Sequence, residues 1–354
     1  MSGRTIAVIP GDGIGVDVTR EALKVLRAVD EVVGAGFRFT EYDYGAERYL
    51  ATGVTLPPGA LEEFRQHDAI FMGAFGDPRV PDMKHAADIL LGTRFGLDLY
   101  ANIRPVRLLD DRLCPLKGRS RADVDFVVFR ENTEGLYVGM GGRFKKDTAD
   151  EIAIQEDVNT RKGVERIIRC AFEQARATGR GKVLMSDKSN VLTFGHDLWQ
   201  RVFASVSRDY PAIEASHMYV DALSMQMIKD PSQFEVIVTC NMFGDIVTDI
   251  GAQLQGGLGM AASGNIHPGG PAMFEPVHGS APKYAGTNRA NPMGAILTCQ
   301  MMVEHLGLAQ AGRLIEAAVV SCLATRRCTA DLEGTLGTAQ TGDAVCDAIR
   351  AAAR

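Results

Sequence analysis

Three carboxylates and three guanidinium groups carry most of the chemistry this chain could do. Asp245 and Asp249 stand four residues apart in NMFGDIVTDIGAQ, which places both carboxylates on one face of a helix. Like charges so placed repel unless a cation or counter-base joins them. Asp221, after the Met218–Val220 run, is a third oxygen donor, and three hard carboxylates suit Mg²⁺ or Mn²⁺. A pair of exposed or capping carboxylates has the same spacing, so spacing alone does not decide. Arg94 precedes FGLDLYANIRP, Arg104 stands before Pro105, and Arg130 ends VDFVVFR. All three are read as lying at strand ends, where planar guanidiniums pair bidentately with carboxylates. A dicarboxylate site competes here with the usual fate of a single arginine, solvent exposure.

Tyr137 in GLYVG and Lys188 in SDKSN follow predicted strands in polar surroundings. Each is either a proton-transfer group or a surface side chain. A lysine near arginines and a metal ion has its pKa lowered and can then act as a base. His278 in HGSAP is a ligand-loop residue or part of a packed turn. Gly11, Gly13 and Gly15 in PGDGIG follow a strand and open a helix, but the third glycine comes one residue too early for GxGxxG. They make a tight turn or a ligand loop. Seven histidines without HExxH or close His/Cys spacing argue against structural zinc.

These residues need a scaffold, and the chain alternates strand and helix signals throughout. Predicted strands cover Thr5–Ile9, Phe37 to Phe39, Ala69–Met72, Asp123–Phe129, Lys182–Met185 and Phe234–Thr239. Val18, Ala22, Val25, Leu26 and Val29 recur with helical spacing, and further helices are expected at 160–178, 197–208, 293–306 and 311–325. The 251–292 stretch holds too many glycines and prolines for continuous helix or sheet. The pattern is α/β, with sheets covered by helices.

Composition sets outer bounds. The 354 residues fit a two-domain chain, and 46% hydrophobic with 23% charged residues is ordinary for a soluble globular protein. The 38 basic against 44 acidic residues leave a charge of −6, which weakens any case for nucleic-acid binding. No apolar run reaches membrane-spanning length and the N-terminus does not read as a signal peptide. Seven scattered cysteines without CxxC spacing are expected to be reduced thiols in a cytoplasmic protein.

Taken together, IPGDGIG at 9–15, DLYANIRPVR at 98–107, FRENTEGLYVG at 129–139, SDKSNV at 186–191, YVDALSMQ at 219–226, TCNMFGDIVTD at 239–249 and EPVHGSAPKYAG at 275–286 resemble the β-decarboxylating dehydrogenases, the isocitrate/isopropylmalate dehydrogenase family. The resemblance implies an α/β fold of isopropylmalate dehydrogenase type, an open αβα sandwich with an inserted small α/β domain, and not a Rossmann fold. It implies a large nucleotide-binding domain from 1–100 and 255–354, and an inserted domain at 101–254 carrying dimer contacts, metal and proton-transfer residues. Arg94, Arg104 and Arg130 would hold the malate carboxylates. Asp221, Asp245 and Asp249 would bind Mg²⁺ or Mn²⁺, and Tyr137 and Lys188 would move protons, with Asp221 beside them. His278, Gly279, Ser280, Ala281, Pro282, Lys283, Tyr284 and Asn291 would bind the coenzyme. Residues matching Lys188 and Asp221 reach into the partner's site in the family's homodimers.

For the substrate, Leu90 and Leu91 before Arg94 resemble the isopropylmalate type, as does Val191 contributed by the partner. A leucine slot favours an isopropyl group by ~1–3 kcal/mol and would strip water from a third carboxylate without pairing it. The expected reaction is oxidative decarboxylation of 3-isopropylmalate in leucine biosynthesis, with another 3-substituted malate as the alternative. Ala87 departs from the glutamate common among isopropylmalate enzymes. NAD is expected from the DLEGTLGTAQ tail, whereas Lys283–Tyr284 resembles NADP-dependent isocitrate enzymes. An inactive regulatory relative would have lost Lys188, Tyr137 or an aspartate, and all are present.

Overall fold

The computed structural model describes residues 3–352. In chain order the elements are β1 (Thr5–Gly11), α1 (Ile14–Val33), β2 (Arg38–Glu41), α2 (Ala46–Thr52), α3 (Ala60–Phe64), β3 (Ala69–Ala74), α4 (Lys84–Gly96), β4 (Ala101–Arg107) and β5 (Asp125–Glu131). There follow β6 (Gly141–Phe144), β7 (Ile152–Gln155), α5 (Arg161–Thr178), β8 (Lys182–Asp187), α6 (Gly195–Val206), β9 (Glu214–Tyr219), α7 (Val220–Lys229), β10 (Val236–Thr239) and α8 (Asn241–Leu254). The chain closes with β11 (Ala262–Ile266), β12 (Ala272–Pro276), α9 (Met293–His305), α10 (Ala309–Ala324) and α11 (Thr338–Ala352). It divides into two compact units. One comprises 3–99, 107–121 and 252–352, and the other 100–106 and 122–251. The 107–121 segment, read from sequence inside the inserted domain, packs with the first unit.

In the first unit the strands run in the order β2-β1-β3-β12-β11, parallel except for the antiparallel β11–β12 pair. Ala7 and Ile9 of β1 and Ile70 and Met72 of β3 face Phe64, Ala86 and Ile89. Alternation turns Ile6 and Val8 to the opposite face, where α1 packs with α9, α10 and α11. The helical stripe Val18, Ala22, Val25, Leu26 and Val29 is wholly buried, and Gly34 ends α1 in a left-handed conformation. The glycine-rich 251–292 stretch is not wholly irregular, because ASGNI and AMFEP pair as β11 and β12. Two other expectations need correction. Arg94 lies in the last turn of α4, a helix not anticipated, and Arg104 lies within β4, which runs through Pro105.

In the second unit the order is β4-β5-β10-β8-β9, with β10 parallel to both β5 and β8, and β8 parallel to β9. Phe129, Met185 and Val238 bury against Ile167, Ile168 and Phe172 of α5 and Trp199, Val202 and Phe203 of α6. The Thr160 side chain accepts the Gly163 N–H at 3.0 Å and fixes where α5 starts. Register has a functional consequence here. Arg130 pairs with Thr239, Thr239 with Ser186, and Asp187 with Tyr219. The residues that follow these pairs therefore share the carboxyl edge of the sheet, where ligands bind in open α/β sheets. The β6–β7 hairpin is exposed along its whole length.

The PGDGIG turn serves packing in the first unit. A Cβ on Gly13, at φ +57°, would lie 2.2 Å from the Ser280 carbonyl oxygen, and the Ile14 N–H donates to that oxygen at 2.8 Å. Buried Asp12 accepts from the Ala46 N–H at 2.7 Å and the Gly76 N–H at 2.8 Å, and pairs with the His85 Nε2 at 2.8 Å. One carboxylate thus ties together the glycine turn, the start of α2, the β3–α4 connection and the first turn of α4. Asp12→Ala should destabilise the protein by about 2–4 kcal/mol, because it strands two backbone donors and a buried imidazole. Urea unfolding measures this, and unchanged stability would contradict the role given to Asp12.

Candidate active site

The carboxyl edge of the second unit holds a dense cluster of charge. Arg130 is only 1% exposed. Its Nε and Nη2 donate to the Asn241 Oδ1 at 3.0 and 2.7 Å, and its Nη1 donates to the Asp245 Oδ1 at 2.7 Å. Arg104 reaches the same Oδ1 at 3.2 Å and donates to the Thr248 hydroxyl at 2.6 Å. The Tyr137 hydroxyl donates to the other oxygen of Asp245 at 3.0 Å, and its ring lies 5.3 Å from the Arg130 guanidinium carbon. Burial first, and the Asp245 charge second, push the Tyr137 hydroxyl above the usual phenol value, so it carries its proton at neutral pH. Two arginines, one tyrosine and Asp245 are thus brought together.

Asp249 lies one turn beyond Asp245 on α8. Its carboxyl is pushed up by loss of surrounding water and then by Asp245, with Arg104 and Arg130 opposing. A like-charge pair of hard oxygen donors at i and i+4, strained in this way, fits a divalent cation. Asp221 stands elsewhere, exposed in the first turn of α7, where it accepts from the Lys188 Nζ at 2.7 Å. That contact holds the Asp221 carboxyl below its ordinary value. Among the described residues no three His, Cys, Asp or Glu side chains cluster closely enough to hold a metal ion. Within one chain Asp221 therefore belongs with Lys188, apart from Asp245 and Asp249. Val191 and Phe194, beyond Lys188, are 64% and 91% exposed.

In the first unit, Ala87, Leu90, Leu91 and Arg94 fall at i, i+3, i+4 and i+7 of α4 and share one face. His85, Ala86, Ile89, Thr93 and Arg94 are buried, and Leu90 packs in part against the same core as Ile89. The Arg94 Nη2 donates to the Glu275 Oε1 at 2.5 Å, and the Asn265 Nδ2 donates to the same oxygen at 2.9 Å. Asp88 is committed to the Thr55 hydroxyl at 2.9 Å and the Lys84 ammonium at 2.7 Å, so it does not take the place of a side chain at position 87.

The 278–291 segment follows β12. Space is open around Gly279, Ser280 is buried against the glycine turn, and Ala281 adopts φ 35°. The buried His278 Nε2 has no hydrogen-bond partner, and burial lowers the pKa of this imidazole. An orphaned ring nitrogen beside open backbone fits a bound dinucleotide. Pro282 opens a short 3₁₀ turn through Tyr284. Lys283 and Arg289 place their cationic groups 4.8 and 5.4 Å from the centre of the Tyr284 ring. The Asn291 side chain is already used, accepting from the Met293 N–H and donating to Asp331, each at 2.9 Å.

Sequence reasoning missed Asn241, Thr248, Glu275 and Arg289. Asn241 and Thr248 were within reach, since they stand four before and three after Asp245 on one helix. Glu275 is 181 residues from Arg94, and no local spacing announces that pair. Gly244 also escaped notice, although a Cβ there would lie 2.5 Å from the Arg130 Cγ. Gly244→Ala should displace the guanidinium from Asn241 and Asp245 and weaken dicarboxylate binding about tenfold or more, or ~1.4 kcal/mol. Calorimetric titration tests this, and wild-type affinity would remove Arg130 from the binding set.

Comparison with known proteins gives a consistent result. The profile of the family described as isocitrate/isopropylmalate dehydrogenase matches residues 5–346. The chain is 49% identical over 353 residues to a 3-isopropylmalate dehydrogenase of Thermobifida fusca, covering 99% of each chain. It is 48% identical over 346 residues to one of Nocardia farcinica, covering 97% of this chain and 99% of that one. The crystal structure of isocitrate dehydrogenase from Methylococcus capsulatus superposes with a TM-score of 0.89 at 38% identity, covering 98% and 99% of the two chains. A match along nearly the whole length, in sequence and in fold, makes this chain a member of the isocitrate/isopropylmalate dehydrogenase family.

Proposed function

We propose that this protein is a 3-isopropylmalate dehydrogenase of leucine biosynthesis. It would oxidise and decarboxylate (2R,3S)-3-isopropylmalate to 4-methyl-2-oxopentanoate and CO₂ while reducing NAD. The observation that carries the substrate choice is the α4 face, where Leu90 and Leu91 stand one turn before Arg94. Near full-length similarity to relatives bearing that name supports the same reading.

In this reading Arg94, Arg104 and Arg130 bind the two carboxylates of the malate, and Leu90 and Leu91 exclude water around its branch. Lys188 accepts the proton of the C2 hydroxyl as hydride leaves C2. The oxidised acid is β-keto to the carboxylate on C3, which departs as CO₂. Tyr137, kept protonated by burial beside Asp245, donates a proton as the enolate becomes the ketone. Asp245 and Asp249, with Asp221 of a second subunit, would hold Mg²⁺ or Mn²⁺, which supplies charge stabilisation at the hydroxyl and enolate oxygens. The 278–291 segment would hold the nicotinamide coenzyme, the hydride acceptor. A homodimer with shared sites is supported by the exposed apolar side chains of Met140, Phe144, Ile152 and Ile154 on the β6–β7 hairpin and Met225, Ile228 and Ile246 on α7 and α8. No described helix is long and apolar enough to cross a membrane.

A second reading has its own observation. Ala87 is exposed on the α4 face beside Leu90 and Leu91, and this open position favours a longer 3-alkylmalate. One assay separates the alternatives: reduction at 340 nm with 3-isopropylmalate, longer 3-alkylmalates, isocitrate, homoisocitrate, D-malate and tartrate. The isopropyl compound is expected to give the highest kcat/KM, with D-malate lower by ~1–3 kcal/mol for the missing branch. Chelation should abolish turnover. Preference for isocitrate would overturn the leucine-slot reading, and activity undiminished by chelation would overturn the aspartate assignment.

Coenzyme choice has a separate test. NAD is the expected coenzyme, yet Lys283 and Arg289 beside Tyr284 are cations a 2′-phosphate could meet. Lys283→Asp should impair NADP far more than NAD, because it sets a negative charge against the phosphate. A strong wild-type preference for NADP would show the NAD assignment to be wrong.

A further inference from the structure

Lys188 follows the last residue of β8, and its neighbours are held in a way the proposed reaction does not by itself require. On one side, Asp187 is 1% exposed and accepts from the Ser189 N–H and hydroxyl at 3.1 Å, the Gln200 Nε2 at 2.8 Å and the His217 Nε2 at 2.8 Å. On the other, the Lys188 backbone N–H donates to the Nδ1 of His196 at 2.8 Å. His196 is buried in the first turn of α6. Because its Nδ1 accepts, the ring proton sits on Nε2, which faces the Asp157 carboxylate 3.8 Å away. The opposite contact of the ring is edge-on to Phe243 at 5.5 Å, on the same helix α8 that carries Asn241, Asp245 and Asp249. His196 therefore touches both the backbone of Lys188 and the helix of the carboxylate pair.

We propose that His196 is a positioning residue for the proton-accepting lysine: its neutral Nδ1 fixes the Lys188 backbone so that Nζ meets Asp221. The proposal rests on the reading of Lys188 as the base. Physically, the C-terminal end of a strand loses its ladder partners, and a backbone N–H left there without an acceptor lets the following loop sample other dihedrals. Lys188 has a long, flexible side chain, so small changes at its Cα move Nζ away from both Asp221 and the reacting hydroxyl. Misplacement of about 1 Å costs up to a hundredfold in rate without removing any substrate contact. The signature is thus a fall in kcat with KM held.

The test compares two substitutions of nearly equal shape. His196→Asn retains an acceptor where Nδ1 stood, and His196→Leu removes it. In His196→Leu, kcat should fall about ten- to a hundredfold with both KM values within about threefold of wild type. His196→Asn should recover most of that loss. Hydrogen exchange of the 186–192 peptide reads the bond without reference to turnover: the Lys188 amide should be protected in wild type and His196→Asn and exchange faster in His196→Leu. If the leucine variant does not yield folded protein, His196→Gln, whose acceptor is displaced by one methylene, replaces it and should lie between the two. Equal kcat losses in the Asn and Leu variants would assign His196 to packing alone and overturn the proposal, as would an unprotected Lys188 amide in the wild type. Lys188→Met serves as the reference. If it stays active, the base assignment fails and the proposal with it, whereas an inactive Lys188→Met with a fully active His196→Leu faults only the positioning role.

Discussion

The carboxylate of Asp245 is the point on which the second unit turns. It accepts from Arg130, Arg104 and Tyr137 at once, and it stands one helical turn from a second carboxylate that it destabilises. Positive charge on one side and negative charge on the other thus meet at this one carboxylate. Burying Arg130 almost completely would be costly without fixed acceptors. Asn241 supplies one, and its amide also donates to the Glu134 carbonyl at 2.9 Å, which tethers the turn that carries Tyr137. The arginine, the tyrosine and the aspartate pair therefore share one set of supports.

The first unit solves a different problem with a different carboxylate. Its parallel strands β1, β3 and β12 deliver the glycine turn, the β3–α4 connection and the 278–291 segment to one edge, and backbone must approach backbone there. Gly13 allows the Ser280 carbonyl to come close, and Asp12 accepts the Ala46 and Gly76 N–H groups of the neighbouring connections. His85, with no exposed surface, links that turn to the helix bearing Leu90, Leu91 and Arg94. The glycines that the sequence left as a tight turn or a ligand loop allow close packing against the 278–291 segment.

Protonation follows from these surroundings. Burial keeps the Tyr137 proton in place, while the lysine contact keeps Asp221 ionised. One group thereby keeps its proton and the other its charge, within the same unit. Burial also pushes the Cys240 thiol up to about 12, and all seven cysteines are unpaired. Cys240, buried just after β10, is thus a packing group.

Residue type and local spacing were enough for much of this. Repeated strand and helix periods announced an α/β chain, Asp245 and Asp249 were legible as a pair because helical geometry fixes i and i+4 neighbours, and long motifs in order announced the family. Local spacing failed where a contact joins distant segments or where flanking residues mislead. Arg94 was placed at a strand end because the apolar run after it resembles a strand, yet it closes α4 and pairs with Glu275. The PGDGIG turn left two readings open until the Ser280 carbonyl was seen against Gly13. Lys188 and Asp221 stood in separate motifs, and only the pairing of Asp187 with Tyr219 in adjacent parallel strands brings their side chains together. Sequence by itself determined which groups exist and which share a helix face, because those relations are set by chain geometry over a few residues. Tertiary structure decided which strand ends are neighbours and which donors lose water, because register and burial arise only when distant segments pack.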